Sequence, residues 1–434
     1  MPQSIRSEFQ WDKRDKRRIY VILLIGSPAH GEEGGRDSVA NMGRRQNMKI
    51  TEVECAIVDL PFIVPFRASW RPGFEEKTLA VTVVKIHTDE GITGIASAEA
   101  CFGWGETQKA TIDSTIGPLF VGKDPFAVEQ LIKIVRDGAS YGGRPWLVEN
   151  ALWDIVGKAA NQPVYKLWGA AQDRVLAYAS WGELRTPERR AEDALALVEQ
   201  GYKAVKVKLH FKDPKDDLAL VESVRRAVGD KLEIMVDANQ ASVAHRPPRT
   251  KKEEHLYSVW SVERAIFMAK ELEKLNVLWL EEPLDRYNLE GLRRLASSVE
   301  LWIAGGELNR GLNEFKALIL GDAYDVIQAN CTLSEGMFQL RKVASMAEMF
   351  YKNYVPHAWI PGPGFAASLQ LAGSIPNCPY IEYPCDPPSY SVNVWQMLLT
   401  EEVRIDKEGY LPVPQRPGLG VEFNEEIIRR YRRT

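Results

Sequence analysis

The chain has 434 residues, 45% hydrophobic and 26% charged, with a formal net charge of −4. This is the composition of a soluble globular protein long enough for more than one domain, and its charge gives no electrostatic case for nucleic acid. No run approaches the ~18 apolar residues of a membrane span, and five cysteines, odd in number and without CxxC spacing, favour a reducing, cytoplasmic setting over a disulfide framework.

The first 47 residues stand apart. KRDKRR, IYVILLIG and SPA in succession mimic the charged, apolar and small-residue parts of an export signal, with the apolar part at its short limit. Residues 1–47 are therefore expected to be a disordered leader or to precede a native start at Met48, with export through the Arg17-Arg18 pair as the alternative. From Lys49, ITEVECAIVDLPF alternates in part. TLAVTVVKIHTDEGITGIASAEA then holds two β-rich runs about a DEG turn, a hairpin signal. Helical spacing follows, clearest at Leu147, Ala151, Leu152, Ile155 and Ala159.

From residue 173 the pattern changes. Apolar runs at 175–180, 204–210, 233–239, 278–283, 301–307, 325–331, 354–359 and 380–384 alternate with helix-type segments such as PERRAEDALALVEQG and SVERAIFMAKELEKL. Eight strands interleaved with helices predict a parallel barrel, whose chemistry sits at the C-terminal ends of its strands. The stretch 242–260, rich in proline and charge, is too long for an ordinary connection. It is expected to be a lid over the mouth, with an interface or plain disorder as alternatives. The tail RIDKEGYLPVPQRPGLGVEFNEEIIRRY reads as a strand and a short helix returning to the first domain.

Asp237, Glu281 and Glu307 each follow an apolar run, where a barrel strand opens onto its active face. Hard carboxylate oxygens converging there suit Mg²⁺ better than zinc or copper. AVKVK puts Lys206 and Lys208 on one face, and a later strand ends at His357. A divalent metal, a lysine and a histidine around one cavity form a site that removes a carbon-bound proton beside a carboxylate. Most of the cysteines are expected to be buried small hydrophobes, Cys331 beside a strand end being the exception.

KVK, VDAN, EEP, GGE, VPH and the closing LPVPQRPGLGVE, in this order, resemble the enolase superfamily in its mandelate racemase-like branch, from roughly Lys49 to the C-terminus. The resemblance implies a modified (β/α)7β TIM barrel with an α+β capping domain built from the N-terminal region and the C-terminal tail. On this chain the cap would span 48–172, the barrel 173–404 and the returning segment 405–434. It further implies Asp237, Glu281 and Glu307 as Mg²⁺ ligands and Lys208 as the base for an α-proton, with Lys206 nearer the substrate carboxylate. Two ammonium groups side by side near a dication disfavour protonation of one, and the superfamily is a known template for such a base. His357 would be the acid or base on the opposite face, and Glu382 a carboxylic acid donating a hydrogen bond to the substrate carboxylate.

Glu282 is expected on the other strand face, and Asn239 on the Asp237 face as a substrate or metal-water contact. Asn330 stands where this branch places an aspartate that orients the histidine. An amide cannot stabilise imidazolium by charge, so His357 is expected to be mainly neutral, which disfavours two-base racemisation. Arg67, Trp70, Arg71 and Trp104 from the cap loops, with His210 at the mouth, are candidate substrate contacts, the arginines for a second carboxylate or sugar hydroxyls. The expected activity is an Mg²⁺-dependent acid-sugar dehydratase acting on a small carboxylate as a homo-oligomer. A racemase or epimerase, a lactone cycloisomerase and an inactive binding barrel are the alternatives.

Overall fold

The structure, a computed structural model, describes residues 48–242 and 260–434, so the leader and nearly all of the 242–260 stretch lie outside the described residues. The chain begins with three antiparallel strands, β1 (Ile50–Phe66), β2 (Glu76–Thr88) and β3 (Thr93–Glu99), in that order across the sheet. Successive strand residues face opposite ways. Leu79, Val81 and Val83 of β2 accordingly join the barrel-side core, while Val84 and Ile86 join a second core with helices Val128–Tyr141 and Leu147–Ala160. A sheet buried on both faces has apolar residues at successive positions, which is why the sequence shows only partial alternation.

The barrel strands are β4 (Arg174–Ser180), β5 (Ala204–Lys208), β6 (Glu233–Asp237), β7 (Val277–Glu281), β8 (Trp302–Gly305), β9 (Val326–Ile327), β10 (Asn353–Tyr354) and β11 (Tyr380–Pro384). They pair in parallel, in the order β10-β9-β8-β7-β6-β5-β4-β11, with the described helices Pro187–Glu199, Pro214–Val228, Val262–Glu273, Leu289–Ala296, Gly311–Leu320, Met337–Met349 and Pro363–Gly373 between them. This is the expected modified barrel under a cap. Several strands stop short of their apolar runs because the chain leaves the ladder at the site, through positive φ at Asn239 (44°), Glu282 (43°) and Gly306 (126°). The tail divides: β12 (Tyr410–Pro412) pairs antiparallel with β4, whereas helix Glu425–Tyr431 packs on β1, and Arg433 binds Asp59. No described helix is long and apolar enough to cross a membrane.

Asp154 ties these parts together. Fully buried, it accepts from Ile95 N–H of β3 at 2.9 Å and Leu419 N–H of the tail at 2.7 Å, and pairs with Lys158 at 2.8 Å. Asp154→Ala leaves two buried amides unserved and takes from Lys158 its nearest carboxylate, Thr93 O and Glu422 remaining. It is expected to cost about 3–5 kcal/mol in chemical denaturation. A loss below about 1 kcal/mol would mean that water replaces the carboxylate.

Candidate active site

Low in the barrel, Tyr178, Ala204, Met235, Trp279, Ala304, Val326 and Val355 form an apolar floor, with Tyr380 packed against it. Two residues on, the same strand faces become polar. The step leads to Ser180, Lys206, Asp237, Glu281, Gln328, His357 and Glu382, all buried.

Lys206 is the hub. Its Nζ lies 2.6 Å from Glu281 Oε1, 2.7 Å from Glu382 Oε1 and 3.5 Å from Asp237 Oδ2. Lys208 stands one step higher, 2.6 Å from Asp237 Oδ2, and donates to Asn239 Oδ1 at 2.9 Å. Its ammonium sits 4.8 Å from the centre of the Trp70 ring. His357 Nε2 lies 3.0 Å from Glu307 Oε2 and 3.8 Å from Glu382 Oε2.

Burial raises carboxyl pKa values, and neighbouring ammonium groups oppose it. At Asp237 burial is outweighed by Lys208 and Lys206, which hold the carboxyl well below its usual range. Lys206 itself, against its burial, is held well above its ordinary value by Glu281 and Glu382. One ammonium cannot serve three carboxylates. Burial and Asp237 push Glu281 up to about 8, and Gln328 Nε2 donates to its other oxygen at 2.8 Å.

Glu382 departs from the role implied by the resemblance. Besides Lys206 it accepts from Ser180 Oγ at 2.7 Å, Trp359 Nε1 at 3.1 Å and the Ala358 N–H at 2.9 Å. Burial raises its carboxyl, but Lys206 and His357 win and hold it below the usual range. It is a carboxylate with both oxygens accepting, not a protonated donor.

The expectation of a neutral His357 also needs correcting. Burial lowers the imidazole, but Glu307 and Glu382 outweigh it and raise it to about 9. Asn330 works the other way. Its Oδ1 accepts from Thr332 N, Thr332 Oγ1 and Leu333 N, so Nδ2 faces His357 Nδ1 at 2.8 Å. An amide N–H there favours the tautomer whose proton is on Nε2. Asn330→Asp replaces that donor with a charged acceptor and is expected to raise the His357 pKa further, read by an NMR titration. No upward shift would mean that the side chain at position 330 does not bear on the ring.

Metal fit rests on the donors. Among the described residues no three acidic, histidine or cysteine side chains are grouped to enclose an ion. Asp237, Glu281 and Glu307 are turned onto Lys208, Lys206 and His357 instead. Yet among the described residues Asp237, Glu281, Glu282, Glu307 and Glu382 confront two ammonium groups, the His357 imidazole and His210, which burial and Lys208 keep neutral. Glu282 does not simply face away. Its positive φ breaks the strand alternation, and both oxygens are buried without a hydrogen-bond partner. Burial, Glu307 and Asp237 push its carboxyl well above the usual range. Such an excess of hard oxygen donors fits a divalent cation such as Mg²⁺.

Of the expected substrate contacts, Trp70 lies over Lys208 and packs on Trp359 at 5.3 Å. His210 stands near Lys208 and Asp237, its imidazole lowered to about 4 by burial and Lys208. Asn239 is primarily a partner of Lys208. Arg71 lies 3.5 Å from Glu76 and 4.3 Å over Phe74, and Trp104 lies 5.8 Å from the Arg144 guanidinium. Arg67 does not turn inward. Two-thirds exposed (66%), it pairs with Glu75 at 2.5 Å. Cys331 is no exception among the thiols, since burial pushes it up to about 12. Sequence reasoning missed Ser180 and Gln328, which two-residue stepping along each strand would have found. It also missed Glu99 at the end of β3, which senses the charges of His357 and Glu307 and is raised to about 7 by burial.

Comparison with known proteins gives concordant results. Residues 52–169 match the mandelate racemase / muconate lactonizing enzyme N-terminal domain, and residues 189–427 match the enolase C-terminal domain-like family. An arabinonate dehydratase from Saccharolobus solfataricus is 28% identical over 83% of this chain and 92% of its own length. An L-talarate/galactarate dehydratase from Salmonella typhimurium is 27% identical over 88% and 90%. The crystal structure of L-talarate dehydratase from Polaromonas sp. JS666, complexed with Mg and L-glucarate, superposes with a TM-score of 0.76 at 28% identity, covering 89% of this chain and 98% of that one. Other relatives include a cycloisomerase and a racemase.

Proposed function

The chain belongs to the mandelate racemase / muconate lactonizing enzyme family of the enolase superfamily and is an enzyme of the lyase and isomerase kind, and we propose that it dehydrates a sugar acid with Mg²⁺ as cofactor. The observation that carries this reading is the buried ring in which Lys206, Lys208 and His357 pair with Glu281, Asp237 and Glu307 at the active ends of neighbouring strands.

Asp237, Glu281 and Glu307 are the residues that would hold Mg²⁺, whose charge, when bound, stabilises a substrate carboxylate gaining negative charge. Lys206, anchored by Glu281 and by Glu382, which Ser180 in turn holds, places a fixed ammonium in a dry site where charge develops. Lys208, in its neutral amine form, takes the α-proton, held in line by Asn239 and covered by Trp70. The C–H electron pair becomes the new C=C bond as the β-hydroxyl leaves. His357 donates its Nε2 proton to that hydroxyl, which departs as water, and the enol ketonises to a 2-keto-3-deoxy acid.

The place of His357 suits elimination: its Nε2, 3.0 Å from Glu307 and 3.8 Å from Glu382, stands at the active strand ends where it can give a proton to a leaving hydroxyl. His357→Asn is therefore expected to keep deuterium exchange at the α-carbon while slowing water loss by about 100-fold or more. Semicarbazide detection of the keto acid reads the loss. Equal loss of exchange and elimination would mean that His357 also acts in proton removal.

A further inference from the structure

A second charged cluster stands at the same opening. Arg144 precedes the cap helix Leu147–Ala160, Arg286 follows β7, and Arg310 lies three residues beyond Glu307. Two of them brace loops that leave the catalytic strand ends. Arg144 Nη1 donates to Leu333 O at 3.1 Å, three residues past Asn330. Arg286 Nη1 donates to Ala241 O at 2.8 Å, two residues past Asn239.

Among the described residues none of the three forms an ion pair with a carboxylate. Glu314, the acid in electrostatic reach of Arg144, already accepts from Asn309 Nδ2 at 2.9 Å and the Arg310 N–H at 3.0 Å. Arg286 Nε is buried without a hydrogen-bond partner. Burial, Arg310 and Arg286 together depress the Arg144 guanidinium to about 10. Like charges gathered in a partly buried mouth repel one another unless an anion joins them. Guanidinium groups present forked donors that match a carboxylate. Tyr287, beneath Arg286 at 4.6 Å, and Trp104, 5.8 Å from Arg144, add aromatic faces beside the donors.

We propose that Arg144, Arg286 and Arg310 bind a second, distal carboxylate of the substrate, so that the enzyme takes a sugar dicarboxylate in preference to the matching monocarboxylate. The inference rests on the dehydratase reading, in which the first carboxylate lies at the Lys206 end.

The test uses the full chain with Mg²⁺ and the Lys208→Ala substitution, which stops turnover. Calorimetry compares matched pairs, glucarate with gluconate and galactarate with galactonate, and adds 6-phosphogluconate. In at least one pair the diacid is expected to bind about tenfold tighter, and Arg310→Met is expected to erase that margin while moving the monoacid by less than about twofold. Arg310 is exposed and its side chain has no hydrogen-bond or ion-pair partner among the described residues, so its loss leaves the fold intact. Arg144→Met should act alike. No diacid preference in any pair, equal weakening of both acids, or tighter binding of the phosphate ester than of glucarate would overturn the assignment. Deuterium exchange by the unsubstituted enzyme separates the two readings. Absent exchange beside an Arg310-dependent diacid preference refutes only the chemistry. Intact exchange without that preference refutes only the subsite.

Discussion

Lys208→Ala is expected to lower α-proton exchange on the order of 10³-fold or more while Mg²⁺ affinity stays the same or rises. The rate loss follows from removing the base, since a positioned proton acceptor contributes about 10²–10⁴-fold and no second amine reaches the same place. Lys206 cannot stand in, because its ammonium is fixed between Glu281 and Glu382 at 2.6 and 2.7 Å. The metal side is equally specific. Lys208 lies 2.6 Å from Asp237 Oδ2, so in this arrangement it competes with a cation for a carboxylate proposed as a ligand. Deleting the ammonium removes that competitor. Exchange measured by NMR in D₂O and Mg²⁺ affinity measured by calorimetry give the two readouts. Retained exchange would refute the base assignment, and a large fall in Mg²⁺ affinity would make the lysine structural.

The second large effect is expected at Glu307. Its side chain meets His357 Nε2 at 3.0 Å, and a glutamine oxygen can still accept that proton, though without the charge, so Glu307→Gln should fold. What it loses is charge. With one of three anionic donors neutralised, Mg²⁺ binding should weaken by about 100-fold or more and turnover should fall with it. Ligand-linked stabilisation supplies a reading independent of activity. At 100 times its dissociation constant, Mg²⁺ stabilises the unsubstituted protein by about 2.7 kcal/mol, and at the same concentration this variant should gain less than about 1 kcal/mol. An unchanged thermal shift would place the cation elsewhere.

Much of this site is written locally in the chain. A strand has a period of two, so KVK by itself declares two side chains on one face, and VDAN, EEP and GGE each put an acid where an apolar run stops. The eight runs and intervening helices likewise follow from short-range patterning. The remainder depends on contacts between strands. Nothing near His357 in sequence reports the charges of Glu307 and Glu382, which reach it from the turn after β8 and from β11 and reverse the inference drawn from Asn330. Simple alternation turns Glu282 to the other face, and it fails at that residue's left-handed backbone turn. Arg67 and Trp70 share one loop, yet one pairs with Glu75 outside and the other covers Lys208, because loop side-chain direction has no periodicity to read. Ser180 and Gln328 carry no motif of their own and become visible only once the inward register of a neighbouring strand is fixed.

The most direct test is to incubate the enzyme with Mg²⁺ in D₂O and a panel of sugar mono- and dicarboxylates, following the α-carbon by NMR and the products by mass spectrometry. The account predicts that at least one acid loses water to a 2-keto-3-deoxy acid, and that this loss disappears with Lys208→Ala. An acid that binds with Mg²⁺ yet neither exchanges its α-proton nor loses water, across a panel spanning the sugar stereochemistries, would contradict it.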